Sequence, residues 1–380
     1  MLLRKISTDV LIAGGGPAGL AAAIALRQRG ADVLVADALQ PPIDKPCGEG
    51  LMPDSRRDLA RLGVDLSTDH GAEFRGILFA GRHHSAAADF PQGLGLGVRR
   101  PVLHRLLLSR AEELGVRFAW KAPVVFKPQQ PAQIANQQIT YRWLIGADGH
   151  ASRVRSWAGL DAASLRSRRF GFRAHFRVAP WSEYVEIHWG ALGQAYITPV
   201  GPREVCVAAL TRHPGMRLAH ILGAIPFLQE KLAAAPQIAA ARGALTLTRR
   251  LRRVTRSNVA LGNVALVGDA SGSADAVTGE GLAMGFRQAL LLADSLAAGT
   301  LDLYEARHAA ILALPQRMAA LMLLMDRFPG LRDRALRAFA RRPQLFREML
   351  AVHVGAQSLP RFALRRGAEL GAFLLAPRFG

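Results

Sequence analysis

The chain has 380 residues, half of them apolar, enough for a large core and one to three domains. Its 49 basic residues against 29 acidic ones give a net charge of +20, and only five of the basic residues are lysine. With four tyrosines and no interleaving of basic and aromatic residues, that charge reads as a solvated surface or an attraction to anionic lipid or acidic substrates, and it excludes a nucleic-acid stacking platform.

Two distant cysteines, Cys47 and Cys206, fit neither a disulfide framework nor a Cys-x-x-Cys site. No metal is expected, and the compartment they point to is a reducing cytoplasm. Leu2 and Leu3 are followed at once by Arg4 and Lys5, which does not read as a signal peptide. No spanning helix is expected, because the nearest approach to one, Met318–Met325, is far too short.

The first stretch, "STDVLIAGGGPAGLAAAIALRQRGADVLVADA", reads strand, turn, helix, strand. Val10–Ala13 is a buried strand, Pro17 pre-sets the first helical turn, Ala21–Arg29 favours helix and Gly30 ends it. Gly14, Gly16 and Gly19 have the G-x-G-x-x-G spacing of a dinucleotide cradle, with Pro17 and Ala18 between. Gly14 permits the tight turn, Gly16 the approach of a pyrophosphate, and Gly19 close packing of helix on strand. Asp37 closes the second strand eighteen residues after Gly19, where a carboxylate accepts from ribose hydroxyls.

Next comes "KPCGEGLMP", Lys45–Pro53, a bent and thinly clothed loop around Cys47, Gly48 and Glu49. Arg75–Phe79 and His84–Phe90 read as a strand pair, and "GLGLGV", Gly93–Val98, has the wrong spacing for a second dinucleotide site. "VRRPVLHRLL" opens a helix carrying Arg100 and His104. Strand Leu144–Ala147 ends in Asp148-Gly149 before a helix start at Ser152.

Residues 170–210 then read as short alternating strands. In the first, Phe172, Ala174 and Phe176 share one face, and Arg173, His175 and Arg177 the other. His188 and Tyr196 on these strands are candidates to orient or deprotonate a substrate hydroxyl, and Cys206 reads as a small core residue. The arginine-dense Thr248–Arg256 reads as a solvated edge.

Strand Val264–Val267 ends in Gly268-Asp269 and leads through a glycine-rich turn, Thr278-Gly279-Glu280-Gly281-Leu282, into a helix whose free N–H groups face its start, with Thr278 as a capping candidate. From Leu301 the pattern is helical, apolar residues recurring at three and four with arginines opposite. Within it, 328–350 is a candidate basic face for an anionic membrane, carried by Leu331, Leu336 and Phe339 among four arginines.

The stretches around Gly14–Gly19, Asp148 and Asp269 resemble the three fingerprints of the flavin-dependent monooxygenase and geranylgeranyl reductase superfamily, the para-hydroxybenzoate hydroxylase fold. The resemblance implies an α/β chain, α+β overall. A Rossmann-like FAD-binding domain (1–73, 91–160 and 250–300) interleaves with an antiparallel-sheet substrate domain (74–90 and 161–249), and a C-terminal helical region (301–380) follows. It implies FAD as cofactor. Asp269 matches the aspartate that binds the ribityl and phosphate part, Asp148 the one that shapes the site, and Arg100 the arginine of the R-x-x-x-D helix. His104 stands where that helix has aspartate. Gly268, Gly279, Glu280, Gly281 and Leu282 would lie along the flavin. Cys47, Gly48 and Glu49 resemble the reductases' P-x-x-C-G-G-G loop, with Glu49 in place of a glycine.

Two reactions follow from the resemblance. The favoured one is hydroxylation of a hydrophobic aromatic or polyketide-like substrate through a flavin hydroperoxide, and the other is reduction of prenyl or alkene double bonds. A flavin-dependent halogenase and a non-catalytic basic membrane-surface protein stand behind them. For catalysis, Cys47, Glu49, His188 and Tyr196 are the candidates. The expected partners are a hydrophobic small molecule, transiently docked NAD(P)H or an electron-donor protein, and peripheral contact with the inner face of a membrane.

Overall fold

The computed structural model describes residues 5–126, 132–160, 163–251 and 260–375. The strand–turn–helix start forms as Lys5–Ala13, Pro17–Arg27 and Val33–Asp37. Pro17 occupies the first helical turn, where its missing N–H costs nothing. Lys5–Ala13 runs parallel to Val33–Asp37 on one side and to Gln137–Gly146 on the other; Val264–Leu266 and Arg117–Trp120 extend the sheet outward, also parallel. Apolar side chains line both faces of these strands, as a sheet covered on both sides requires.

The glycines act through close contact. A Cβ on Gly19 would sit 1.9 Å from the Gly14 carbonyl oxygen, and one on Gly14 2.4 Å from that of Ala147. A methyl at either position would push the first helix off the sheet and break the turn. Gly268 and Gly285 both meet the Ala18 side chain, so helix Gly281–Ala297 lies close against the first helix.

A second sheet of seven strands runs in the order Gln237–Leu251, Ala163–Phe176, Glu204–Thr211, Gln194–Gly201, Tyr184–Trp189, Gly76–Ala80, Ser85–Asp89. It is antiparallel except where Tyr184–Trp189 meets Gly76–Ala80. The strand pair read near residues 75–90 therefore joins this sheet. Gly95–Gly97, the stretch with the wrong spacing for a nucleotide, pairs instead with Gly50–Leu51 and Ala72–Phe74 in a small third sheet.

Of the Thr248–Arg256 run, the strand takes the first residues, while 252–259 lie outside the described residues. The C-terminal region forms helices Asp302–Arg327, Pro329–Arg341, Pro343–His353 and Leu359–Leu375. The helical pattern is interrupted before Pro343, whose missing N–H ends the backbone ladder there.

One expectation is corrected here. Leu336 and Phe339, the apolar stripe offered to a membrane, are buried against the second sheet's edge and helix Pro343–His353, so that face is spent inside the protein. Helix Asp302–Arg327 is long and apolar enough to cross a membrane by length and composition, which the short run Met318–Met325 did not suggest. Its first half packs Tyr304 and His308, both buried, against the FAD-binding part of the chain.

Candidate flavin and substrate site

The three fingerprints converge at one end of the parallel sheet. Gly16 opens the first helix, and a Cβ there would meet no atom within 4 Å, so the backbone faces open space where a pyrophosphate fits. Asp37 sits beside it and accepts from the N–H of Gly15 at 2.7 Å and of Leu39 at 2.8 Å. Trp120, on the neighbouring strand, packs its ring edge close to Gly15 and Asp37, an aromatic neighbour of the nucleotide loop that sequence reading missed.

His104, the departure from the family helix, is fully buried, and its Nε2 lies 2.9 Å from the Gly15 carbonyl, which accepts. Burial pulls its pKa down, so it is a neutral donor that pins the nucleotide loop. Asp148 accepts from the N–H groups of Arg153 and Val154 at 2.7 and 3.2 Å through one oxygen and so joins Ser152 in satisfying the start of the next helix, while its other oxygen is buried without a partner. Asp269 is partly exposed and lies 3.2 Å from His150 Nε2.

The third fingerprint is held from behind. Gln288 Oε1 accepts from the Gly268 N–H at 2.6 Å, which leaves its Nε2 to donate to His308 Nε2 at 3.1 Å. His308 must therefore be neutral, and burial lowers its pKa to about 4. Beyond, Gly279 takes a left-handed turn at φ +70° and helix Gly281–Ala297 starts with no side-chain cap. Thr278 does not cap it: its hydroxyl donates to the Asp275 carbonyl, while Asp275 caps the short turn Ala276–Thr278. Gly281 and Leu282 thus present free N–H groups, suited to the negative edge of a reduced flavin. The open backbone at Gly16, the uncapped helix start and the acid at Asp37 together fit FAD.

The loop around Cys47 lies across the second sheet. Thr198 Oγ1 donates to the Gly48 carbonyl at 2.8 Å, and the Cys47 thiol accepts weakly from the Glu49 N–H at 3.4 Å. Glu49 is the unexpected centre. Its φ is +60°, a left-handed conformation that glycine takes without strain, which accounts for glycine in the reductase motif. Its carboxylate is buried and accepts from the Arg100 N–H at 2.9 Å and Arg173 at 2.7 Å, with His175 Nε2 at 2.7 Å. Arg173 also pairs with Asp44 at 2.8 Å.

Burial pushes the Glu49 carboxyl up, but His175, the Arg100 N–H and Arg173 outweigh it and hold it below the ordinary carboxylate range. Glu49 is therefore a clamp between the loop, helix Arg100–Glu113 and strand Ala163–Phe176, and is no acid or base for a substrate. Cys206, buried in its strand as expected, has its thiol 3.7 Å from the Cys47 carbonyl and within 4.8 Å of the Glu49 and His175 ligand atoms. Arg173 already supplies the cation at that carboxylate.

Between the loop, the sheet and the C-terminal helices lies an apolar cavity that opens to solvent. Its walls are Phe79, Ile187, Val277, Met322, Phe346 and similar apolar groups, with Cys47, Gly48, Glu49 and Gly279 along the flavin side. Tyr196 faces it, but its hydroxyl is spent on Gln194 Oε1 at 2.9 Å and the Val277 carbonyl at 3.0 Å, and burial raises its pKa strongly. Tyr196 thus positions the flavin turn and does not deprotonate substrate. His188 is on the opposite face of the sheet, bonded to Glu186 at 2.7 Å, and lines a separate basic cleft, so it drops out of the catalytic set.

These features define a flavoprotein oxidoreductase with its reaction cavity between a dinucleotide-binding sheet and a substrate sheet. Residues 7–309 match the FAD binding domain family, and the chain belongs to it as an FAD-dependent oxidoreductase of the monooxygenase superfamily. It is 28% identical to a menaquinone reductase of Mycobacterium tuberculosis over 361 residues, 85% of each chain. It is also 28% identical to 12-dehydrotetracycline 5-monooxygenase/anhydrotetracycline 6-monooxygenase of Streptomyces rimosus, over 86% of this chain and 72% of that one. Its fold matches that of a flavin-dependent brominase with a TM-score of 0.77 and 18% identity, over 96% of this chain and 98% of the other.

Proposed function

We propose that this FAD-dependent monooxygenase hydroxylates a hydrophobic aromatic or polyketide-like small molecule. The observation that carries the reading is the apolar cavity against the flavin turn, lined by aromatic and methionine side chains and open at its mouth. FAD, when bound, supplies the redox chemistry, taking electrons from a donor and passing them to oxygen. The chain's own part is to place the ring and keep water out. Tyr196 holds the Val277 carbonyl and with it the turn that meets the flavin. The Glu49 clamp fixes the loop on the other side.

NAD(P)H docking transiently, or a donor protein, would deliver the electrons; no second dinucleotide cradle is found among the described residues. The basic surface supports peripheral contact with anionic lipid, now through arginines alone.

A second reading is double-bond reduction of an isoprenoid substrate. The likeness to a menaquinone reductase and the loop around Cys47 favour it. Anaerobic reduction of the flavoprotein followed by oxygen, with candidate aromatics, separates the two. An oxygenated product and substrate-dependent oxygen uptake support hydroxylation. A saturated isoprenoid product formed without oxygen, and no oxygenated product from any aromatic, would overturn it.

A further inference from the structure

The cavity has one ionisable wall residue whose strong hydrogen-bonding capacity is unspent. Four side chains there could carry a proton: Cys47, Glu49, Tyr196 and His353. Glu49 is occupied by Arg173, His175 and the Arg100 N–H, and Tyr196 by Gln194 and Val277. The Cys47 thiol already accepts from the Glu49 N–H and is a weak partner in any case.

His353 differs. It ends helix Pro343–His353, far in sequence from every flavin fingerprint. Its Nδ1 is buried without a hydrogen bond and lies 3.7 Å from Glu280 Oε2, and its ring lines the cavity, so Nε2 is the nitrogen left to meet a ligand there. Glu280, at the start of the flavin-facing helix, is 1% exposed, and neither of its oxygens has a hydrogen-bond partner. A buried carboxyl with both oxygens unused calls for a functional explanation.

We propose that His353 and Glu280 form a proton-transfer pair for a substrate whose ring carries an ionisable phenol- or enol-type hydroxyl. The O–H bond breaks, its electron pair stays on the substrate oxygen, and the proton forms the new N–H bond at His353 Nε2. Glu280 is the positioning residue, facing the Nδ1 side of the imidazolium across the present gap. Nothing is oxidised or reduced in this step. The phenolate or enolate left behind is the more electron-rich ring, which deepens the hydroxylation reading on which the inference rests.

The other charged groups facing the pair are Arg287 on the same helix as Glu280 and, from helix Pro53–Arg61, Asp54 and Asp58, both paired with Arg287. Burial raises the Glu280 carboxyl and Asp54 adds to that, while His353, Arg287 and the nearby Thr278 hydroxyl offset only part of it. Its proton is therefore retained to higher pH than on an ordinary glutamate.

Fluorine NMR of para-fluorophenol bound to the flavin-loaded protein tests this without turnover. In the parent, the bound probe should ionise at a proton concentration at least tenfold higher than the free probe does. Glu280→Gln should lose most of that shift while still binding the probe, and His353→Leu should lose all of it. Flavin affinity, measured in parallel, confirms that the variants are folded. A bound probe that titrates as in free solution, one that keeps its shift in His353→Leu, or a parent that does not bind the probe at millimolar concentration would each overturn the pair. Product analysis scores the hydroxylation reading separately. A shifted probe with no oxygenated product from any aromatic sinks that reading alone, and oxygenation with an unshifted probe sinks the pair alone.

Discussion

Replacing Glu49 by glycine separates two effects that act at one residue. Glycine relieves the left-handed backbone at φ +60°, worth roughly 1–2 kcal/mol. It also removes the carboxylate from a buried cluster in which Arg173 and His175 are 2% and 1% exposed. Arg173 is left with Asp44 alone, and His175 Nε2 and the Arg100 N–H lose their acceptor. Breaking a buried pair from one side costs about 3–5 kcal/mol, so the net loss is about 1–4 kcal/mol.

Urea unfolding of the flavin-loaded protein, followed by tryptophan fluorescence, measures it. Glu49→Gln, which keeps the strain and loses only the charge, serves as the companion variant. The dependence on pH has a definite sign. The folded carboxyl titrates below its ordinary 4.5, so its stabilisation is complete above about that pH and fades as pH falls through the lowered folded value. The difference between parent and variant should therefore shrink in acid. A Glu49→Gly protein as stable as the parent at neutral pH would refute the clamp and leave the residue free for a chemical role.

Three further outcomes follow from the same geometry. His308, neutral and buried with a pKa near 4 against an ordinary 6.5, makes the parent lose about 2 kcal/mol between pH 7 and pH 5, because the unfolded chain takes up the proton first; His308→Asn should flatten that slope in the same urea assay. His104→Leu frees the Gly15 carbonyl and should weaken FAD binding about fivefold by flavin fluorescence titration, since one buried hydrogen bond is worth about 1 kcal/mol; an unchanged affinity would remove His104 from the cofactor site. Tyr196→Phe should cost about 1–3 kcal/mol of stability by unbridging Val277 and Gln194, yet leave the pH profile of turnover in place, because the phenol does not titrate in the working range.

The dinucleotide cradle was legible from the chain because its physics is local. Gly14 and Gly19 are required by contacts of 2.4 and 1.9 Å to backbone atoms, and that requirement shows as a fixed spacing. The same holds for the flavin turn, where Gly279 needs its left-handed φ, and for the alternation of Arg173 and His175 against Ala174 and Phe176.

Which face of that strand lies inside was not legible, because Arg173 and His175 look like a solvent face until Glu49, more than a hundred residues away, is brought against them. The same limit misplaced His188, which alternation put on a strand without saying which side of the sheet held the cavity. It also hid His353, a histidine at a helix end with no motif around it, and the burial of Leu336 and Phe339. Backbone conformation and spacing are properties of short segments, so the sequence alone determined the cofactor cradle. Partner choice for buried charges depends on contacts between distant segments, and only the tertiary structure decided that.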